Sequence, residues 1–545
     1  MANMITLTSD KLANIIKITQ AVHDMELEIE YETPAYTEFP YELSWRGQNE
    51  AIKSILDHED KVILESHTGA GKSIVFLTAA RASGLRSVVI EPRKFLESQI
   101  ASYDIPTKLI FGRNAYKCDY AESADMAPCL VTYEREITDE EGNYQRERVF
   151  DLFDENSGKI MPHHYPCGNC PYFNASVAAQ SALTRNSAIL ITNSGNFRKY
   201  ISMADFVIAD EVDELFRLIA KGKYLRYVKK LDDKPIRELL LTEHYEISHE
   251  LKEITSSREY ISPSIASTIR KLKGELETTD FLIQNADVCF AYQRKRDNRI
   301  FVEVQPTEFE LILDRVFQGK KVCLVTATPP ITKNAITRID YTIPSRAVIF
   351  YMGIAKMTSR NLYTLNRQWL FSDIYDIISI IFKIFKQRFG IQKAVIHAGN
   401  LDNHAALLND RLKEQYKTTV HTRGHLMETL ETFMHTDSNF CLVTSAEFGW
   451  DVPPEISLQF VLKFPYMPRN ERLLALEKTI GREEFKKFYE YDAMSRLIQG
   501  SGRVGRGTSF GATFILDTKF GEIYEKYLPV MPKWFVDRLI NTDNL

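Results

Sequence analysis

The chain has 545 residues, with 68 basic and 73 acidic side chains and a formal charge of −5. An apolar fraction of 44% and a charged fraction of 26% are those of a globular protein and exclude disorder and collagen-like structure; the length predicts three or four domains. No polybasic character advertises nucleic acid, so any such partner must be held in a local groove.

The first twenty residues lack a cationic stretch followed by a continuous apolar run, and no secretion signal is read there. The most apolar stretch, 374–385, is interrupted by Asp376 and Lys383 at amphipathic spacing, which predicts a packed helix and no membrane contact. A cytoplasmic protein with seven reduced cysteines is the expectation.

Apolar runs at 61–66, 87–92, 188–192 and 205–210, and a later one from Lys321, alternate with amphipathic segments and predict buried parallel strands of one sheet. A second series, at 394–398, 439–445, 458–464 and 512–517, predicts another sheet of the same kind. The fold class is therefore α/β with two parallel-sheet domains. An N-terminal segment, 1–45, precedes the first domain, which is assembled from 46–112, 173–216 and 301–347; the second spans 348–545. Two insertions interrupt the first domain. Residues 113–172 are polar and cysteine-bearing, and within them 134–155, with nine acidic against three basic residues, is expected to be a solvated excursion. Residues 217–300, with 17 basic and 13 acidic residues, are expected to be mostly helical.

Between the first predicted strand and the following helix lies SHTGAGKS, 66–73, the context that a phosphate-binding loop requires. Gly69 and Gly71 permit the tight turn, and the backbone of Thr68, Ala70 and their neighbours can point N–H groups at phosphate oxygens. Lys72 can reach the β and γ phosphates of ATP, and Ser73 can offer its hydroxyl to Mg²⁺. Further on, a strand runs into Asp210 and Glu211. An aspartate there can hold the magnesium shell and a neighbouring glutamate can polarise the attacking water, although such pairs also serve as plain helix caps. Near the C-terminus, QGSGRVGRG (499–507) sets Arg503 and Arg506 among glycines, so that both guanidinium groups could reach a phosphate held by another domain; a surface salt-bridge cluster is the alternative.

Taken together, these segments resemble those of superfamily 2 helicases, and within them the XPD-like and DinG-like iron-sulfur helicases. Gln48 in WRGQNEAI resembles the adenine-reading glutamine, SHTGAGKS motif I, DEVD motif II, and VTATPP, with Thr326, Ala327 and Thr328, motif III. TSAEFGWDVP, with Gly449 and Asp451, resembles motif V, and QGSGRVGR, with Gln499, Arg503 and Arg506, motif VI; ITNSGNF, with Asn193, and KFPYMPRNE also fall at family elements. Asp213 stands where a DEAH box has histidine. The resemblance implies two RecA-like motor domains, a cysteine-rich insertion and a helical arch-like insertion, here shorter than the family's.

Four of the seven cysteines, Cys118, Cys129, Cys167 and Cys170, cluster with C-x10-C-x37-C-x2-C spacing. Four thiolates could ligate a [4Fe-4S] cluster, which the position between motifs favours, or zinc, toward which His163 and His164 also point; spacing does not separate the two. Cys289, Cys323 and Cys441 lie in apolar runs and read as core.

The resemblance implies an ATP-dependent motor that moves on single-stranded DNA, 5′ to 3′, and opens duplexes at junctions. An RNA helicase and a nucleotide-regulated binding or remodelling protein are the alternatives. A monomer is expected; no protein partner or pathway is legible.

Overall fold

The computed structural model describes residues 7–67, 69–92, 94–130, 132–138, 144–154, 159–167, 170–193, 197–212, 215, 222–231, 234–256, 263–296, 299–307, 309–328, 336–355, 367–399, 404–422, 425–443, 456–505 and 509–545. Short apolar strands need cover on both faces, and the chain provides it twice, in two parallel sheets of seven strands each. From edge to edge the first runs Thr337–Asp340, Lys61–Glu65, Lys321–Thr326, Phe206–Ala209, Ser87–Ile90, Ile189–Thr192 and Thr107–Ile110. Its two faces carry separate cores, one around Phe76, Val75 and Ile52, the other around Tyr200, Leu183 and Phe317.

The second sheet runs Thr418–Val420, Phe440–Val443, Ala394–His397, Leu458–Val461, Gly511–Asp517, Ala347–Ala355 and Leu539–Asn541. The apolar stretch near residue 380 is indeed a packed helix, Arg367–Phe389: Ile374, Ile378, Ile381, Phe382 and Phe385 all face the sheet and are buried. Among the described residues no helix is long and apolar enough to cross a membrane.

The N-terminal helix, Ser9–His23, packs on the second sheet although the first sheet follows it in sequence. Ile15 joins the second sheet's core, and Asn14 donates to the Leu545 carbonyl at 2.8 Å. The chain then returns, and Phe39 enters the core of the first domain.

Both insertions differ from expectation. The acidic stretch is more ordered than a bare excursion: Tyr133–Thr138, Tyr144–Asp154 and Lys159–His164 form an antiparallel sheet, on which Glu136 and Arg146 are exposed to solvent. The register explains how so many charges tolerate it. In the register Glu134 is opposite Arg148, Arg135 opposite Glu147 and Glu136 opposite Arg146, so three acid positions are set across the ladder from basic ones. In the second insertion, the helices Ile236–Ser256 and Pro263–Gln284 are accompanied by a three-stranded sheet of Lys223–Leu225, Arg299–Pro306 and Cys289–Arg296. That hairpin straddles the boundary expected at residue 300. Its Phe290 and Tyr292 pack on Leu473, Leu476 and Phe485 of the second motor domain, and Arg472 donates to Gln305 at 2.6 Å. The insertion thus touches both halves of the motor.

Candidate active site between the two sheets

The site begins at the C-terminal end of Lys61–Glu65. The chain turns through Gly69 and Gly71, both left-handed at φ +88° and +77°, and enters the helix Lys72–Ala82. A side chain at Gly71 would come within 2.7 Å of the Gln48 amide nitrogen, and the left-handed backbone there already favours glycine. Gln48 is buried, accepts from the Trp45 N–H at 2.9 Å and donates to the Ala70 carbonyl at 3.4 Å. Tyr341, from beyond the first domain's edge strand, donates to the same carbonyl at 2.9 Å. Lys72 donates to the Ser66 and His67 carbonyls at 2.9 and 3.1 Å, while Ser73 stands in the first helical turn.

The acid pair lies two strands away. Burial and the Glu211 carboxylate beside it raise the Asp210 carboxyl above the usual range, and the Lys72 ammonium opposes that shift. Lys72 and the pair therefore share one electrostatic site. Asp210 accepts from the Glu211 N–H at 2.9 Å, and Glu211 itself has φ +46°, left-handed backbone at a non-glycine residue. Such a carboxyl pair suits a divalent cation, whose charge favours the ionised form, and Asp210, Glu211 and Ser73 are the residues that could hold it and its water. Glu91, not singled out by the sequence reading, also hydrogen-bonds Asp210. Sheet register accounts for the meeting: Ile90 pairs with Ala209, so the next residue of each strand emerges at the same edge.

The second domain meets this edge through its last long helix, Arg482–Ser501. Gln499 donates to the Thr328 hydroxyl at 2.8 Å, and Ser495 lies 3.1 Å from the same atom. Residues resembling motifs III and VI are thereby joined across the two sheets. The end of that helix is fixed from within its own domain: Gln459 donates to the carbonyls of Gly500 and Ser501 at 3.0 and 3.2 Å. The segment beyond passes Gly511 so closely that either glycine, Gly505 or Gly511, would clash with its neighbour's backbone if it carried a side chain. Arg503 is buried beside His397, whose imidazole burial and this guanidinium hold down to about 4. Arg506, Thr68, Gly449, Asp451 and Asp213 lie outside the described residues.

The four clustered cysteines are free and partly buried. Burial pushes the Cys129 thiol up to about 11, helped by Cys167, Cys170 and Cys118, and the Cys167 thiol up to about 11, helped by Cys170 and Cys118. The four sulfurs thus share one neighbourhood. Among the described residues, however, no three His, Cys, Asp or Glu side chains are arranged around a common metal position.

Two family signatures match the chain: a DEAD/DEAH box helicase domain at residues 45–104 and a helicase C-terminal domain at 398–538. No curated protein matches the sequence significantly. Among solved structures the chain is similar to one titled XPD helicase, at 13% identity and a TM-score of 0.54, covering 91% of this chain and 98% of the other. It is similar as well to Xpd4 of S. tokodaii, at 11% identity and a TM-score of 0.50, covering 91% and 99%. With the phosphate loop and acid pair on one sheet, and Gln499 hydrogen-bonded to that sheet's edge from the other, the chain carries a DEAD/DEAH box helicase domain and a helicase C-terminal domain on an XPD-like fold, and is an ATP-hydrolysing helicase.

Proposed function

We propose that this helicase translocates on single-stranded DNA, 5′ to 3′, and opens duplexes at junctions with the energy of ATP hydrolysis. The observation that carries the motor reading is the contact of Gln499 with Thr328, which couples the two sheets at the nucleotide edge. The second insertion supports strand separation, because it is anchored on both motor domains and would feel their relative motion.

In this reading Lys72 neutralises the β and γ phosphates, Asp210 holds the magnesium shell, and Glu211 accepts the proton of the attacking water. Arg503 and Arg506 supply positive charge from the second domain, Gln48 reads the adenine, and Gly449 and Asp451 complete the second domain's face of the site. Four thiols within one electrostatic neighbourhood fit a metal centre chemically, and Cys118, Cys129, Cys167 and Cys170 would hold it. A [4Fe-4S] cluster is the proposed group, with zinc as the second reading; either would cross-link the insertion.

The test uses duplexes with a 5′ or a 3′ single-stranded tail, in DNA and in RNA. Strand displacement is expected on 5′-tailed DNA. Protein kept from oxygen is expected to contain iron and absorb broadly near about 400 nm. Changing any one of the four cysteines to serine should remove that absorption and the unwinding while sparing basal ATP hydrolysis. Preference for RNA, or for the opposite tail, would contradict the substrate reading; stoichiometric zinc without iron would replace the cluster by a structural zinc site.

A further inference from the structure

Trp534 stands on the short helix Lys533–Val536 near the C-terminus, in a segment to which the sequence reading assigned no role. It is buried, and its neighbours come from three separate parts of the nucleotide site. The indole N–H donates to the carbonyl of Ala327, across the boundary between the two motor domains, at 3.0 Å. The far edge of the ring lies against Gly502, where an added side-chain carbon would come within 3.0 Å of it. On the phosphate loop, the His67 ring is centred 6.4 Å away. His67 is buried, and burial together with Arg538 and Lys72 holds its imidazole neutral, down to about 2, so it meets the indole as an uncharged ring. Half-buried Arg538 lies 5.3 Å from the Trp534 ring centre, an indole–guanidinium pair at the edge of the site.

Consecutive residues of the first domain are therefore gripped by two different parts of the second. The Ala327 backbone is held by Trp534, and the Thr328 side chain by Gln499 and Ser495. One hydrogen bond alone would leave rotation about the contact free, whereas two at adjacent residues fix an orientation. The ring also limits how far the turn at Gly502, directly before Arg503, can move toward the first domain.

We propose that Trp534 is a positioning residue for ATP hydrolysis, registering the second motor domain on residues 327–328 so that the Gln499–Arg503 segment is aligned with the phosphate loop. This rests on ATP hydrolysis between the two domains and is independent of which nucleic acid is unwound. Its energetic content is one neutral hydrogen bond and the orientation that it fixes, equivalent to roughly 3- to 10-fold in rate.

The test is Trp534→Phe, which keeps an aromatic ring and loses the N–H, together with full-length protein carrying benzothienylalanine at 534, which keeps the indole's shape and also lacks the N–H. Both are expected to lower kcat for ATP roughly 3- to 10-fold with KM unchanged; the isostere, which keeps the packing, should hold its thermal midpoint to within about 2 °C, whereas the phenylalanine variant also loses buried ring and should melt lower. If the phenylalanine variant does not fold, the isostere decides. An unaltered kcat in the folded isostere overturns the proposal. So does, in the isostere, a kcat loss matched by a rise in KM and a marked fall in thermal midpoint, the pattern of a side chain that merely fills the core.

Discussion

Arg506→Ala is expected to bind ATP nearly as the parent enzyme does and to hydrolyse it roughly 10³-fold more slowly, or slower still. Binding should persist because the phosphate loop, Lys72 and the acid pair all belong to the first sheet, whereas this arginine comes from the second. Turnover should fall because a guanidinium presented to the γ-phosphate stabilises charge that develops only in the transition state. The preceding segment is built to hold such a group in place. Gln459 ties down the carbonyls of Gly500 and Ser501, Gln499 holds the helix end to Thr328, and Gly505 turns at φ +69° against Gly511. Arg503 shares this turn but is buried beside His397, so Arg503→Ala should also cost stability by emptying a buried site. Rates of ATP hydrolysis and affinities for a fluorescent ATP analogue, measured on both single variants, separate the two roles. Unaltered hydrolysis by both would make this segment purely structural and remove the interdomain mechanism.

Glu211→Gln is expected to retain nucleotide binding and lose roughly 10²- to 10⁴-fold in turnover, the range over which a positioned general base acts. The substitution is nearly isosteric and keeps the backbone bond from residue 211 to Asp210, so its effect should fall on proton transfer alone. The left-handed backbone at Glu211 supports a functional reading: a non-glycine residue held there costs roughly 1–3 kcal/mol, strain that the surrounding strand edge must sustain. A single-turnover experiment checks this outcome, with the variant binding ATP at near-parental affinity and releasing phosphate only slowly. Fast phosphate release from the glutamine variant would move the base to another residue, and Glu91, hydrogen-bonded to Asp210, would be examined next.

Much of this arrangement is legible in the sequence because buried parallel strands are short apolar runs, as at 61–65, 206–209 and 394–397. Edge strands are another matter. Thr337–Asp340 and Leu539–Asn541 pair along one side only and carry polar residues, so no apolar run marks them. The 133–164 sheet is hidden for a different reason: counting charges gives a solvated stretch, whereas their order, acid against base across a ladder, gives a sheet. Lys72 can be found from the sequence because it closes a glycine loop between a strand and a helix, and Asp210 and Glu211 because they directly follow a strand. Tyr341, Trp534 and Arg538 cannot, since each reaches the site only through the folding of distant segments, and Glu91 is placed only by the pairing of its strand with Phe206–Ala209; Trp534 meets Ala327 across 207 positions of chain. For the same reason nothing in the first forty residues foretells that helix Ser9–His23 docks on the second sheet.

In the proposed motor, ATP held at Lys72 is hydrolysed in step with movement on single-stranded DNA. Steady-state ATP hydrolysis with and without single-stranded DNA, by the parent enzyme and by Lys72→Ala, tests it most directly. Clear stimulation by DNA is expected in the parent enzyme, and in the folded variant no hydrolysis above background under either condition, since the charge that meets the β and γ phosphates is gone. Hydrolysis indifferent to DNA, or surviving in Lys72→Ala, would contradict it.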